Sequence, residues 1–310
     1  MKFAVLFFAV STAWAGIASD VRRMVDQGNL AGAAQAANAY RQRNGETPEF
    51  LAAWSWLARG ALQAKQLDAA EKYARDTEEK ATALLKQRTL DSDPYLQVAL
   101  GAAIEVQAQA AVAGGKRDQA VVYLRSELAK YGNTRIAERL WKNLNLLTLE
   151  GKRAPDIERV EWLGARPLPL SGYRGRVVLL FFWAHWCGDC RAEVPILAEV
   201  QRAYPQLAMI GITRRYGYTA AHDDVSPAEE LQYIGQIHQQ FYGALGATPV
   251  AVSAKTFTEY GASTTPTVVL IGRSGVVRMY HPGALEYDEL ASALSAAMHE
   301  PAPVVKNRLP

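Results

Sequence analysis

An all-α helical region followed by an α/β sandwich on a mixed sheet is the architecture predicted for this 310-residue chain, and three observations predict it. Of fourteen prolines, only Pro48 and Pro94 precede Pro155, which leaves the first half free to be helical. Residues 16–151 are Ala-rich and repeatedly amphipathic, as in Trp54, Leu57, Ala58 and Ala61 and again in Val121, Leu124 and Leu128. From Val160 onward, short apolar runs alternate with helical patterns, the signature of a sheet layered with helices. The length is also more than one core usually holds, so two domains are expected.

The chain opens with Met1-Lys2, an apolar Phe3 to Val10, and Ala13-Trp14-Ala15 before Gly16. A charged start, an apolar core and an A-x-A site form the pattern of a secretory signal peptide over residues 1–15, so the mature chain is expected to be exported; a buried N-terminal helix is the alternative. The run is too short to span a bilayer comfortably, and no later segment offers about 18 uninterrupted apolar residues.

Within the helical domain, 16–151, turn-like breaks fall at Gln27-Gly28-Asn29, Lys65-Gln66 and Gly114-Gly115-Lys116. The segments starting at Asn29, Gln66 and Arg117 resemble the second helix of tetratricopeptide units, at spacings of 37 and 51 residues. These spacings depart from the regular repeat of about 34, so the region reads as an irregular helical array. Such arrays present concave surfaces that dock proteins, or serve as appendages that stabilise or dimerise the chain. Both readings stay open.

The second domain is expected over residues 155–299, with strands at Val177 to Trp183, Leu207 to Ile212, Val250 to Val252 and Val268 to Ile271. Gly272-Arg273-Ser274-Gly275 turns the last of these into a hairpin with Val276 to Tyr280. Helices are expected near Asp189 to Ala203, Pro227 to Tyr242 and Glu286 to His299, with a disordered tail over 300–310.

Apolar content of 49%, charged content of 21% and a net charge of +3 are those of a soluble globular protein, and no run of five or more basic residues points to nucleic acid. The chain has two cysteines, Cys187 and Cys190. No second pair completes a zinc site, and Arg191 stands where a c-type haem site needs His. His222-Asp223-Asp224 reads either as half a metal site or as an ordinary polar loop. Neither metal nor cofactor is expected.

The cysteines sit between an apolar strand and a helical segment, so Cys187 falls at a helix N-terminus, where unpaired amides favour thiolate, and is the candidate nucleophile. In an oxidising compartment the pair is either redox-active or a structural staple, although so short a loop removes little unfolded-state entropy. His185 would lower the pKa of Cys187 if protonated, or is simply a residue at the strand end.

Trp183-Ala184-His185-Trp186-Cys187-Gly188-Asp189-Cys190, with Pro195 five residues later and Ser263-Thr264-Thr265-Pro266-Thr267 further on, resembles the thioredoxin superfamily over roughly residues 158 to 299. The resemblance implies a thioredoxin-like fold, a redox motif built from Trp186, Cys187, Gly188, Asp189 and Cys190, and a cis-proline loop in which Thr265 and Pro266 contact substrate backbone. A trans Pro starting the strand is the alternative for Pro266. The signal peptide, the residues after the motif and an insertion near 214–228 are similar to the exported TlpA/ResA-like branch, where a Glu at the position of Glu193 is associated with proton handling. The alternative for Glu193 is a first-turn acid favoured by the helix dipole. Phe181 stands where thioredoxins proper carry a buried Asp, which leaves Glu193, His185 or water to take a proton from Cys190.

What the resemblance implies is thiol-disulfide exchange with a protein disulfide or dithiol, with a membrane electron donor and protein docking on the helical domain as candidate partnerships. Asp189 opposes the thiolate and Arg191 favours it, and a reductant near thioredoxin is expected. The alternative is a binding module in which the helical domain docks a protein and the cysteines form a structural disulfide. Peroxide reduction is a third reading, which the missing Thr/Ser-x-x-Cys setting disfavours.

Overall fold

The computed structural model describes residues 16–301, so the expected signal peptide and residues 302–310 of the expected tail lie outside the described residues. The chain divides into two compact units, Met1–Lys116 and Arg117–Pro310.

The first unit contains α1 (Ile17–Asp26), α2 (Leu30–Asn44), α3 (Pro48–Gln63), α4 (Leu67–Leu84) and α5 (Pro94–Ala113). Both early prolines stand in the first turn of a helix, where no amide is needed, behind the caps Thr47 and Asp93. The Thr47 hydroxyl accepts the Phe50 N–H, and the Asp93 carboxylate accepts those of Tyr95 and Leu96. Alanine sets the packing: Ala33, Ala37, Ala58, Ala61, Ala70 and Ala74 are fully buried, and such short side chains let helices approach closely. Helices α1 and α2 pair, α3 and α4 pair, and α5 lies against both α3 and α4.

The second unit begins with α6 (Arg117–Tyr131) and α7 (Ala137–Thr148). The three segments noted for their resemblance to repeat units therefore open α2, α4 and α6. Six strands follow: β1 (Trp162–Leu163), β2 (Val178–Phe182), β3 (Ala208–Thr213), β4 (Val250–Val252), β5 (Thr267–Ile271) and β6 (Val277–Pro282). They form one mixed sheet in the order β1-β4-β3-β2-β5-β6. β2, β3 and β4 are parallel neighbours, while β5 and β6 are antiparallel and β1 pairs antiparallel with β4. The connecting helices are α8 (Gly188–Ala203), α9 (Pro227–Phe241), α10 (Ala254–Tyr260) and α11 (Tyr287–Met298). This is a thioredoxin-like fold, and every strand and helix expected beyond Val177 is present.

Strand β2 is buried on both sides, and its alternation sorts side chains into two cores. Leu179, Phe181 and Trp183 join Cys187, Cys190, Leu197, Ile234 and Leu290 on the face covered by α8, α9 and α11. Val178, Leu180 and Phe182 join Leu149, Ile157, Phe257 and Tyr260 on the other.

The division between units lies two helices before the domain boundary expected at residue 151. Helix α7 packs on α10 and β6, and the Asn145 side-chain amide donates to the Glu259 carbonyl at 3.1 Å. A helical pattern alone does not say which core a helix serves. At the other end, Glu300, placed in the expected tail, is held by ion pairing with Arg278.

Candidate active site

Cys187 caps the N-terminus of α8: its sulfur accepts the Cys190 N–H at 3.0 Å, as an N-cap side chain does. It is disulfide-bonded to Cys190, with both residues buried. Within the motif, Gly188 and Asp189 are exposed, and Trp186 keeps half of its surface in solvent. A thiolate formed at Cys187 on reduction would lie at the positive end of the helix dipole.

Phe182 of β2 pairs with Thr267 of β5, so the residues running on to Cys187 and those just before Thr267 leave the sheet at the same end. The Thr265–Pro266 peptide is cis, as the resemblance implied, and the Pro266 carbonyl accepts the Gly283 N–H at 2.8 Å. The Thr265 hydroxyl is buried there without a hydrogen-bond partner.

Glu193 is one helical turn after Cys190 on the buried face of α8. Its carboxylate accepts the Leu285 N–H at 3.2 and 3.3 Å. Burial is the dominant influence and pushes its pKa up; the Leu285 hydrogen bond and His281 oppose the rise, and Glu286 adds to it. A buried carboxyl held toward its neutral form can take up and release a proton, which an exposed first-turn acid would do only at lower pH. Phe181 lies in the same core, touching the ring of Tyr242.

His185 is also buried, but burial lowers its pKa, against the opposing influence of Glu230. Its Nε2 is 3.5 Å from a Glu230 oxygen without hydrogen-bond geometry, and the rings of Tyr216, Tyr218 and Tyr233 meet it edge-on. A neutral imidazole so enclosed does not supply the positive charge that would stabilise a Cys187 thiolate. Arg191 donates to the His185 carbonyl at 2.8 Å and stacks on Phe241. His222 and Asp223 lie in an exposed turn closed by backbone bonding around Tyr218 and Thr219. Among the described residues no group of three His, Cys, Asp or Glu side chains is assembled to hold a metal.

Sequence reasoning missed Glu230 and Tyr216. Glu230 is buried, and its two oxygens accept the N–H groups of Tyr216 at 2.5 Å and Gly217 at 2.9 Å, pinning the insertion beside the motif. In sequence it looks like one more acid in the first turn of α9, after the cap Ser226. Tyr216 lies edge-on to Trp186 at 5.6 Å. The aromatic clustering of Tyr216, Tyr218 and Tyr233 was the available signal.

Comparison with known proteins agrees with this geometry. The profile of the AhpC/TSA family matches residues 151–280. The thioredoxin-like protein YneN of Bacillus subtilis is 25% identical over 147 residues, 47% of this chain and 78% of that protein. The thiol:disulfide interchange protein DsbE of Xylella fastidiosa is 30% identical over 150 residues, 47% of this chain and 68% of the relative. A crystal structure of a putative DsbE from Chlorobium tepidum aligns with a TM-score of 0.37 at 27% identity, over 48% of this chain and 97% of that one. With its fold, its cysteine pair and the 30% identity that spans 68% of the Xylella fastidiosa relative, the chain belongs to the thioredoxin superfamily of thiol-disulfide oxidoreductases.

Proposed function

We propose that the protein is an exported reductase of protein disulfides, with Cys187 as nucleophile, Cys190 as resolving thiol and Glu193 as proton acceptor. The observation that carries this reading is the Cys187–Cys190 pair at the start of α8, at the same end of the sheet as the cis Thr265–Pro266 peptide. The N-terminal secretory pattern supports export.

In the reduced protein the Cys187 thiolate attacks one sulfur of a substrate disulfide, forming a mixed disulfide and releasing the other substrate sulfur as thiolate. Cys190 gives its proton to Glu193 and attacks the Cys187 sulfur. The second substrate sulfur leaves as thiolate, and the Cys187–Cys190 disulfide closes. Two electrons pass to the substrate, and a reduced donor must restore the pair; a membrane protein is one candidate. Trp186 directly precedes the attacked cysteine, Thr265 and Pro266 lie at the same end of the sheet, and Thr265 offers a hydroxyl without an internal partner.

Direction follows from how weakly the surroundings favour the Cys187 thiolate. Asp189 opposes it, Arg191 alone favours it among the neighbouring charges in the sequence, and burial lowers the pKa of His185. The expected potential is therefore nearer the roughly −270 mV of thioredoxin than the roughly −120 mV of a strong oxidant. A glutathione titration returning the upper value would refute the reductase direction.

The test of the activity is insulin reduction with dithiothreitol: the wild type accelerates it and Cys187→Ser abolishes the acceleration. Equal rates in the two proteins would instead support a partner-binding module with a structural disulfide. The AhpC/TSA match favours one further assay, consumption of hydrogen peroxide, although Ala184 occupies the place three residues before Cys187 where the related peroxidatic site has Thr or Ser. Cys190→Ala should trap the physiological substrate on Cys187.

A further inference from the structure

Helix α7 ends at Thr148, before the family match begins at residue 151, yet its side chains reach the loops that frame the cysteine pair. In its first turn, the Glu138 carboxylate accepts from Arg214 Nη1 at 2.6 Å and from the Thr258 hydroxyl at 3.3 Å. Arg214 directly follows β3, and its guanidinium lies 4.8 Å from the ring centre of Tyr216 and 5.5 Å from that of Phe257. The Tyr216 ring in turn meets Trp186, the residue before Cys187, and His185 at 5.3 Å. Tyr216 is thus fixed twice, by Glu230 at its backbone and by Arg214 at its ring.

We propose that Glu138 is a positioning residue for the redox site: through Arg214 and Tyr216 it holds the Trp186 ring as a wall beside Cys187, against which the substrate chain is seated. This rests on the oxidoreductase reading for its consequence, although the linkage itself is independent of turnover.

Arg214 is largely enclosed, and its Nε is buried without a hydrogen-bond partner, so the Glu138 carboxylate is its principal charge partner. A guanidinium deprived of that partner in a part-buried site gains by turning to water, and Tyr216 then loses its cover. Trp186 is half-exposed, and the edge contact with Tyr216 covers part of the ring, so its placement depends on Tyr216 staying in place. A second contact keeps α7 in register: Gly261 has φ +64°, and a Cβ there would meet the Lys142 backbone nitrogen at 2.2 Å. The chain after Gly261 leads directly to Thr265 and Pro266.

The test uses the full chain with Glu138→Ala and Glu138→Gln, and Arg214→Lys as an independent break of the same link. Two readouts apply: KM and kcat for a disulfide peptide, and acrylamide quenching of Trp186, isolated by subtracting the same protein carrying Trp186→Phe. Glu138→Ala and Arg214→Lys should raise KM about 5-fold with kcat within about 2-fold, and increase Trp186 quenching about 2-fold. Glu138→Gln, which keeps an acceptor for Arg214, should recover part of both effects. Unchanged KM and quenching in folded Glu138→Ala and Arg214→Lys would overturn the proposal, as would a fall in kcat alone. If the wild type reduces no disulfide, the oxidoreductase reading fails by itself, and quenching still decides the linkage.

Discussion

The two faces of the sheet are both closed by apolar cores, but they treat buried polar groups differently. On the face away from the cysteines, the Tyr260 hydroxyl donates to the Pro155 carbonyl at 2.5 Å and the Tyr280 hydroxyl to the Tyr260 carbonyl at 2.7 Å. Both hydroxyls are pushed well above the ordinary tyrosine range by burial, so they stay neutral and fully engaged. On the α8 face the buried groups include a carboxyl with a raised pKa, an imidazole with a lowered one, and a disulfide. One face is built to stay as it is; the other holds groups whose protonation or covalent state can change.

The widest contrast comes from core truncation. Phe182→Ala, which opens the core between Phe257 and Tyr260, should cost about 3–5 kcal/mol in urea unfolding while leaving the specific activity of the folded protein within 2-fold. A large drop in activity per folded molecule would mean that the two faces are not separable. Glu193→Gln should do the reverse, slowing resolution of the mixed disulfide about 100-fold, equivalent to about 2.7 kcal/mol in the barrier. Rapid-quench accumulation of the mixed disulfide is the measurement.

The same substitution carries a pH signature. Because the folded pKa of Glu193 is raised, ionising it costs stability, a cost absent below the unfolded value of about 4.3 and complete once pH exceeds the folded pKa. Glu193→Gln should therefore gain in urea midpoint relative to wild type between pH 4 and pH 7, and a constant difference would remove the basis for its proton role. Tyr260→Phe, on the quiet face, should cost about 1 kcal/mol for its lost hydrogen bond, with no change in reduction potential. Smallest of all, Asp189→Asn should favour the thiolate slightly and raise the potential by about 10 mV, since an exposed charge near a helix end is worth about 0.3–1 kcal/mol.

What was legible in the sequence was what is encoded locally. Cys187 and Cys190, the strand before them and the helix after them lie within one run of residues, and Thr265-Pro266 was readable through the resemblance to the thioredoxin superfamily. Phe181 was readable as a departure, and the alternation of β2 explains why it points into the cysteine core. Glu230 and Glu138 were not legible, because in sequence each is an acid in the first turn of a helix, where solvent exposure is the ordinary outcome. Only the fold shows that one meets the amides of Tyr216 and Gly217, and the other meets Arg214, 76 residues away. Helix α7 shares this ambiguity: its pattern declares a buried stripe and is silent on what buries it.

Gly261 also sets limits on how the molecule can be shortened. Because the backbone of α7 runs where a side chain at that position would stand, the helix is the floor of the turn that leads to the cis peptide. A fragment starting at residue 151, where the family match begins, would remove that floor and uncover the surfaces that bury Leu140 and Leu144. A fragment starting at Arg117 keeps both, and is the smaller piece to express for crystallisation or for trapping partners.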